Sequence, residues 1–535
     1  MVFFAGKATG VDGEGRVVKP FASTFTTLAG AWRSPREKYA QRILSAGRAG
    51  GLWWLRQGTG SHCHACDEPM NTLDALHLAR LQFAFTVAVH IIFPAISIGL
   101  AGFLAVLEAS WLKTRDAVYK DMYFFWSKVF AIGFGMGVVS GVVMAYEFGT
   151  NWSGFSHVAG SITGPLLTYE VLTAFFLEAG FLGVMLFGWG RVGEKGHFFA
   201  TLMVAVGTLI STFWILASNS FMQTPQGYAI VDGRLVPVDW LKVIFNPSFP
   251  FRLAHMTIAA YIVAAFLVAA CGGYHLAHGR RDGAVKRSFS MALWMLLILT
   301  PVQIFIGDAH GLNTRKYQPA KIAAIEGLWE TEHGGTSLNL VGLPDMGAET
   351  TRYAIKIPHL GSVILTHSWD GEIVGLKNFP PQDRPYSPII FWSFRLMAGL
   401  GMLMLLMSLT GLVLRKGGRL YGARWFQRWV FFMGPSGLIA LLAGWITTEV
   451  GRQPWTVYGV LRTEDSASPL DAQQVGTTLL IFVVVYFLVF GVGIYYMLKL
   501  MKKGPALTDE HAPGQAPHPA LEHNVMRRAP EPIDR

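Results

Sequence analysis

Residues 81–109 read LQFAFTVAVHIIFPAISIGLAGFLAVLEA. A helix needs ~20 mainly apolar residues to cross the hydrocarbon core of a bilayer. This stretch meets that length and carries His90 inside it, with Pro94 one turn further on. Eight more runs of the same kind lie near 123–148, 164–189, 198–221, 253–276, 288–308, 389–414, 429–449 and 475–499. The chain therefore reads as an all-α integral membrane protein, a bundle of about nine transmembrane helices.

Composition points the same way. Of 535 residues, 52% are hydrophobic and 15% charged, against ~25% charged in soluble domains. The formal charge of +10 does not imply nucleic acid, because the Lys and Arg cluster in short segments between apolar runs. Three cysteines, Cys63, Cys66 and Cys271, are too few for a disulfide framework in a chain of this length. Gly133, Gly135, Gly137 and Gly141 in the second run suit close helix packing in lipid.

Basic residues set the orientation. Lys113, Arg115 and Lys120 follow the first run, and Arg191 and Lys195 the third. Arg280, Arg281, Lys286 and Arg287 follow the fifth, Arg415, Lys416 and Arg419 the seventh, and Lys499, Lys502 and Lys503 the ninth. The segment 149–163 after the second has none. Positive-inside reasoning places the N-terminal end of the first span outside and the C-terminus in the cytoplasm.

Ionisable and coordinating residues inside hydrocarbon are costly and mark a functional path. Here they are His90, Glu170, Glu178, His255, Met397 and Glu449. At 1.5 Å per residue, the derived topology puts His90, His255, Met397 and Glu449 in the outer half of the bilayer. Two histidines and a methionine at one depth suit metal ligation, and haem iron takes His and His/Met ligands. Each residue alone has a plainer reading, His as a hydrogen-bonded structural group and Met as core filler. Glu170 and Glu178 share one run, separated by about 12 Å of rise and about 80° of rotation in a regular helix. That spacing suits proton carriers bridged by water, not two ligands of one metal. Pro94 removes the amide that would bond the His90 carbonyl, which predicts a kink.

The longest segment between runs, 309–388, lies outside by this topology. It contains an amphipathic-looking stretch, 320–330, that predicts an organised surface for a polar-headed, lipid-like molecule, or else a plain membrane-surface helix.

Several stretches in this order carry a family resemblance: 80–86 (RLQFAFT) leading to His90, 148–153 (FGTNWS), 174–178 (AFFLE), 321–326 (KIAAIE), 394–397 (FRLM) and 451–455 (GRQPW). Together they resemble subunit I of the cytochrome bd-type quinol oxidases. The resemblance implies roles residue by residue. His255 and Met397 resemble the axial ligands of a low-spin b haem. His90 and Glu449 resemble the ligands of a high-spin b haem and of an oxygen-binding haem, with the order between them open. Glu170 and Glu178 resemble acids that deliver protons to the oxygen site, and Lys321 and Glu326 the quinol-binding pair of the outer loop. Arg395, Trp445 and Arg452 resemble residues that steady the haems. The segment between Glu326 and Met397 is short, like that of the short-loop group that includes the cyanide-insensitive oxidases. The third haem is therefore expected to be haem d or a third b haem.

The implied activity is quinol oxidation coupled to reduction of O2 to water, electrogenic through vectorial proton uptake without pumping. The implied partners are a second multi-span subunit, a small single-helix subunit and membrane lipid, with no nucleic acid, in the bacterial inner membrane. Two other classes compete on the residues alone. A proton-coupled transporter would explain the membrane acids but not His/Met ligands on separate helices. A simple b-haem electron-transfer subunit would leave His90, Glu449 and the acid pair idle. The expected organisation is membrane helices in 71–308 and 389–500, a periplasmic quinol-binding loop at 309–388, and a disordered cytoplasmic tail at 501–535. Residues 1–70 are read as an over-called start or a disordered extension. Their His62-Cys63-His64-Ala65-Cys66 stretch has a single Cys-x-x-Cys, short of a zinc site.

Overall fold

The structure, a computed structural model, describes residues 74–505. The zinc-like stretch, the rest of the N-terminal extension and nearly all of the C-terminal tail lie outside the described residues. Among those described, nine helical segments are long and apolar enough to cross a membrane. Helix α1 (Ala75–Thr114) starts at Asp74, whose carboxylate accepts from His77 N–H, and runs as one helix through Pro94. Arg115 ends it in the left-handed conformation, and Asp116 caps α2 (Ala117–Thr150) through Val118 N–H. Side-chain capping of this kind satisfies helix-end amides that lipid cannot.

The third span begins earlier than its hydropathy suggests. Only Asn151 and Trp152 separate α2 from α3 (Ser153–Glu170), so most of the segment 149–163 is helix. Its serines and glycines hide the helix from an apolar-run reading. A π-helical turn, Val171–Phe175, then joins α3 to α4 (Phe176–Phe187). Helix α5 (Glu194–Gln223) leads to a hairpin of β1 (Tyr228–Val231) and β2 (Arg234–Pro237), and then to the short α6 (Trp240–Ile244). The next two spans are α7 (Phe249–Ala277) and α8 (Gly283–Tyr317).

The long loop is folded. It holds α9 (Pro319–Glu326), an antiparallel hairpin of β3 (Leu338–Asp345) and β4 (Thr350–Ile357), and α10 (Leu360–Thr366). Residues Ala320 to Glu326 are all buried. The amphipathic surface helix read at 320–330 is thus corrected: the helix ends at Gly327, and Leu328 and Trp329 beyond it are buried too. Helices α8 and α11 (Ser387–Lys416) pack against α9, and Asn339 and Thr351 of the hairpin donate to the Glu326 and Gly327 carbonyls at its end. The eighth span is two helices, α12 (Arg424–Phe432) and α13 (Ser436–Val450). After β5 (Trp455–Val457), β6 (Leu461–Arg462) and α14 (Thr463–Ser466), α15 (Ala472–Lys503) completes the order.

Helix α1 is central, packing against α2, α5 and α7. A side chain at Gly99 would strike the Ala260 carbonyl and the Ala264 methyl on α7, so these two backbones meet only because Gly99 has none. The largest core side chains include Trp126, Tyr123, Phe93, Phe130, Phe266 and Phe289. Outward faces such as Leu480, Phe487 and Val492 on α15 stay apolar and exposed, as lipid requires.

Candidate functional site

Ion pairs and hydrogen bonds bring Glu449, Arg452 and Lys321 to one end of the bundle. Arg252 at the start of α7 reaches both Asn219 near the end of α5 and Glu449 near the end of α13. Lys321 on α9 reaches Gln223, the last residue of α5.

His90 faces α2. Its Nδ1 lies 2.8 Å from Ser140 Oγ, which itself donates to the Met136 or Gly137 carbonyl at 3.0 Å. If the serine proton goes to a carbonyl, Nδ1 would donate to Ser140 and Nε2 would keep a free lone pair. A second hydrogen bond that fixes the tautomer in this way is the usual support of a metal-binding histidine. His255 on α7 has a buried Nδ1 with no partner. Its ring lies 5.8 Å from that of His310 and against Gly307, where a Cβ would come within 3.3 Å of Cε1. Met397 on α11 leans on α13: a Cβ at Gly444 would sit 2.8 Å from its Sδ. Trp445, next to Gly444, lies under the Arg252 guanidinium at 5.9 Å.

Glu449 is surrounded by donors. Its Oε2 is 2.6 Å from Arg452 Nη2, and its Oε1 accepts from Asn219 at 3.1 Å and Gln223 at 3.3 Å, with Arg252 Nη2 at 3.6 Å. To ligate a metal, Glu449 would have to release one of these contacts. The Nε and Nη1 of Arg452 and the Nε of Arg252 are buried without partners. Buried, unpaired guanidinium donors are costly, and they suit an anionic carboxylate such as a haem propionate. The free His255 nitrogen, the Gly444 cradle and these donors together fit haem. Among the described residues no three His, Cys, Asp or Glu side chains gather as a metal-ion site.

Lys321 and Glu326 do not form a mutual pair. Lys321 Nζ donates to Gln223 Oε1 at 2.7 Å, and its stem runs over Gly451, where a Cβ would lie 2.8 Å from Cγ. Glu326 instead pairs with Arg395 Nη2 at 3.2 Å. Five residues on a helix turn about 140° apart, which sends them to opposite partners. Burial, followed by the Arg252 charge, pushes the Lys321 ammonium well below its ordinary value. Burial raises the Glu326 carboxyl, with Arg395 opposing. Arg395 also donates to the carbonyls of Ile325 at 2.7 Å and Asn339 at 3.0 Å. Its guanidinium is thus engaged in bracing the loop helix α9.

The π turn changes the relation of the two membrane acids. It adds about one residue to the turn, so eight residues behave like seven and the offset falls from about 80° to roughly 20°. Both acids accordingly face α5. Ser211 donates to Glu170 Oε1 at 2.8 Å, and Glu178 Cγ packs where a Cβ on Gly207 would come within 2.6 Å.

Other buried polar groups escaped the sequence reading. Arg252, a flanking residue there, lies in the Glu449 cluster. Glu147 on α2 accepts from Thr86 at 3.0 Å two turns from the His90–Ser140 contact, with its other oxygen unpaired. Glu108 on α1 and His197 on α5 bond at 2.7 Å, fully buried. Glu108 and Glu147 each lie near the end of an apolar run, so the cost of a membrane charge was the signal available for them.

The comparisons agree with this architecture. A family profile described as cytochrome bd terminal oxidase subunit I matches residues 78–505. Cytochrome bd-II ubiquinol oxidase subunit 1 of Escherichia coli (strain K12) is 32% identical over 511 residues, covering 83% of this chain and 99% of the relative. Cytochrome bd ubiquinol oxidase subunit 1 of Bacillus subtilis (strain 168) is 33% identical over 449 residues, covering 82% and 96%. The solved structure of bd oxidase from Geobacillus thermodenitrificans matches with a TM-score of 0.75 and 29% identity, covering 82% of this chain and 100% of that one. With nine helices long and apolar enough to cross a membrane among the described residues, and with bacterial relatives, the protein is a multi-pass component of the bacterial inner membrane. Profile, relatives and fold converge over the segment that carries His90, His255, Met397 and Glu449, and the chain belongs to the cytochrome bd terminal oxidase subunit I family.

Proposed function

We propose that this chain is the catalytic subunit of a quinol:oxygen oxidoreductase, working with a second multi-span subunit and a small single-helix subunit. The observation that carries the reading is the continuous link from loop helix α9 to the ligand end of the bundle: Lys321 to Gln223 to Glu449, with Arg252 and Arg452 beside it. The substrate side and the redox side share one buried network. Relatives are named ubiquinol oxidases and, in one Bacillus subtilis case, a putative menaquinol oxidase, so the quinol class follows from kinship and the quinone itself from assay.

His255 and Met397 would hold a low-spin b haem, while His90 and Glu449 would serve a high-spin b haem and a third haem of d or b type. Haem held here would supply one-electron transfer and an open iron position for dioxygen. The chain's own residues do the rest. Arg252 and Arg452 bind anionic carboxylates. Lys321, held toward its neutral form, accepts a quinol proton, and Glu326 shifts between acid and carboxylate against Arg395. Glu178 and then Glu170 hold protons drawn from the cytoplasm. Two quinols and one O2 give two quinones and two waters. Quinol protons leave outside and the consumed protons enter from inside, so turnover is electrogenic without a pump. Each charge crossing is worth about 2.3 kcal/mol per 100 mV.

The test is quinol-driven O2 uptake by the purified complex together with its reduced-minus-oxidised spectrum. Haem bands that respond to carbon monoxide, with quinol-dependent uptake, are expected. A colourless complex, or haem that quinol cannot reduce, overturns the reading.

A further inference from the structure

At the opposite end of the bundle, Glu108, His197, Thr201 and Tyr123 form a buried chain on three helices. His197 Nε2 lies 3.0 Å from the Met185 carbonyl and so carries a proton, and Nδ1 faces Glu108 Oε1 at 2.7 Å. Glu108 Oε2 accepts from Thr201 at 2.6 Å, and the Tyr123 hydroxyl donates to Thr201 at 2.8 Å. The chain is a set of aligned donors ending on a carboxylate that shares one proton with an imidazole. Glu108 and His197 also line a cavity of about 200 Å³, room for several waters. Trp111, Lys120, Trp189, Gly190, Gly193 and Glu194 complete the lining. Lys120 lies 5.8 Å and 5.6 Å from the two indoles, and Arg115 pairs with Glu194 at 2.7 Å. This is the end rich in Lys113, Arg115, Lys120, Arg191 and Lys195, cytoplasmic by the positive-inside rule.

The same helices lead to the membrane acids. Met185 lies seven residues beyond Glu178 on α4, two turns along one face. On α5, His197, Thr201, Thr208 and Ser211 fall within about 80° of one another around the helix axis, and Ser211 holds Glu170. From Thr201 to Gly207, where Glu178 packs, the rise is about 9 Å, roughly three hydrogen-bond lengths. A wholly structural staple between α1, α2 and α5 would need neither the cavity beneath it nor this alignment.

We propose that the cavity and the Glu108–His197 pair are the cytoplasmic proton-entry port of the oxidase, loading protons that water passes on to Glu178 and Glu170. This rests on the inward proton supply proposed above. Water in the cavity protonates the pair, the excess proton rests between Glu108 and His197, and it leaves toward Glu178 as the next one enters.

The test uses the assembled oxidase in vesicles with its cytoplasmic face inward and a pH dye trapped inside. For Glu108→Gln, the haem spectrum and quinol KM should stay as in the parent. Its kcat and internal alkalinisation should fall at least tenfold, and its solvent deuterium isotope effect should rise. Thr201→Val, nearly isosteric, should slow both at least threefold, and Thr201→Ser should restore them. Parent enzyme that turns over without internal alkalinisation would refute the inward supply itself. Parent enzyme that alkalinises, with variants at parental rate and isotope effect, would refute the port alone. If Glu108→Gln does not assemble, the Thr201 pair decides.

Discussion

Ser211 Oγ donates to Glu170 Oε1 across 2.8 Å, so α5 holds the first of two membrane acids. One turn away on α5, Gly207 leaves room for the second, Glu178. The π turn between the acids turns both toward that helix. Proton transfer along such a line depends on carboxyl chemistry and on alignment, and the two can be separated. Glu178→Gln keeps shape and removes the proton site. It is expected to lower O2 reduction about 100-fold, within the range of a positioned acid or base, with quinol KM little changed. Normal turnover by this variant would exclude the relay.

Gly444 offers a way to disturb Met397 without replacing it. A side chain there collides with Sδ, so Gly444→Val should displace the sulfur and weaken the low-spin absorption. His255→Ala should abolish it. The check is the reduced-minus-oxidised spectrum of variant membranes, where an unchanged low-spin band in His255→Ala would defeat the assignment of that ligand.

Gln223 joins the loop to the membrane site. Gln223→Leu leaves the buried Lys321 Nζ and one oxygen of Glu449 short of a partner. Such a loss costs about 1–3 kcal/mol for each unsatisfied group. Reduced thermal stability of the purified complex and lower turnover at saturating quinol are expected, while an unchanged melting temperature would show that water replaces the amide.

Lys321 gives a pH dependence with a definite sign. Its folded value lies well below the ordinary 10.5. Below 10.5 the unfolded chain takes up the proton first, so this group lowers stability progressively as pH falls from 10.5 to the folded value, and no further below it. Lys321→Met should therefore stabilise the complex at neutral pH, with the gain shrinking as pH rises toward 10.5 and above. In catalysis the neutral amine is the proton acceptor. Quinol oxidation should decline as pH drops through the folded value, and Lys321→Met should lose that acid limb together with most activity. Thermal melts and kcat/KM profiles across pH check both.

Arg252 is a buried cation shared by Asn219, Glu449 and Trp445. Removing one partner of a buried ion pair typically costs about 3–5 kcal/mol. Arg252→Met should lower haem occupancy along with stability, whereas Arg452→Lys should retain part of both. Haem-to-protein ratios of the purified variants measure this, and full occupancy in Arg252→Met would remove it from the site.

The spans, their number and the residues worth attention were legible in the order of amino acids. Lipid demands long apolar helices, and a His or Glu such as His90 or Glu178 stands out against them. Boundaries drifted where small polar residues sit inside helices, as at 149–163, because hydropathy measures transfer from water and not helix formation. Partnerships were not legible. Lys321 and Glu326 stand out together in the sequence, but that α9 turns one to Gln223 and the other to Arg395 is seen only in the fold. The Glu170–Glu178 offset followed from a regular helix until a π turn removed most of it. Which charge meets which is decided by residues 69 to 230 positions apart in the chain, through distances of a few ångströms on which electrostatics and hydrogen bonds depend, and only the packed bundle sets those distances.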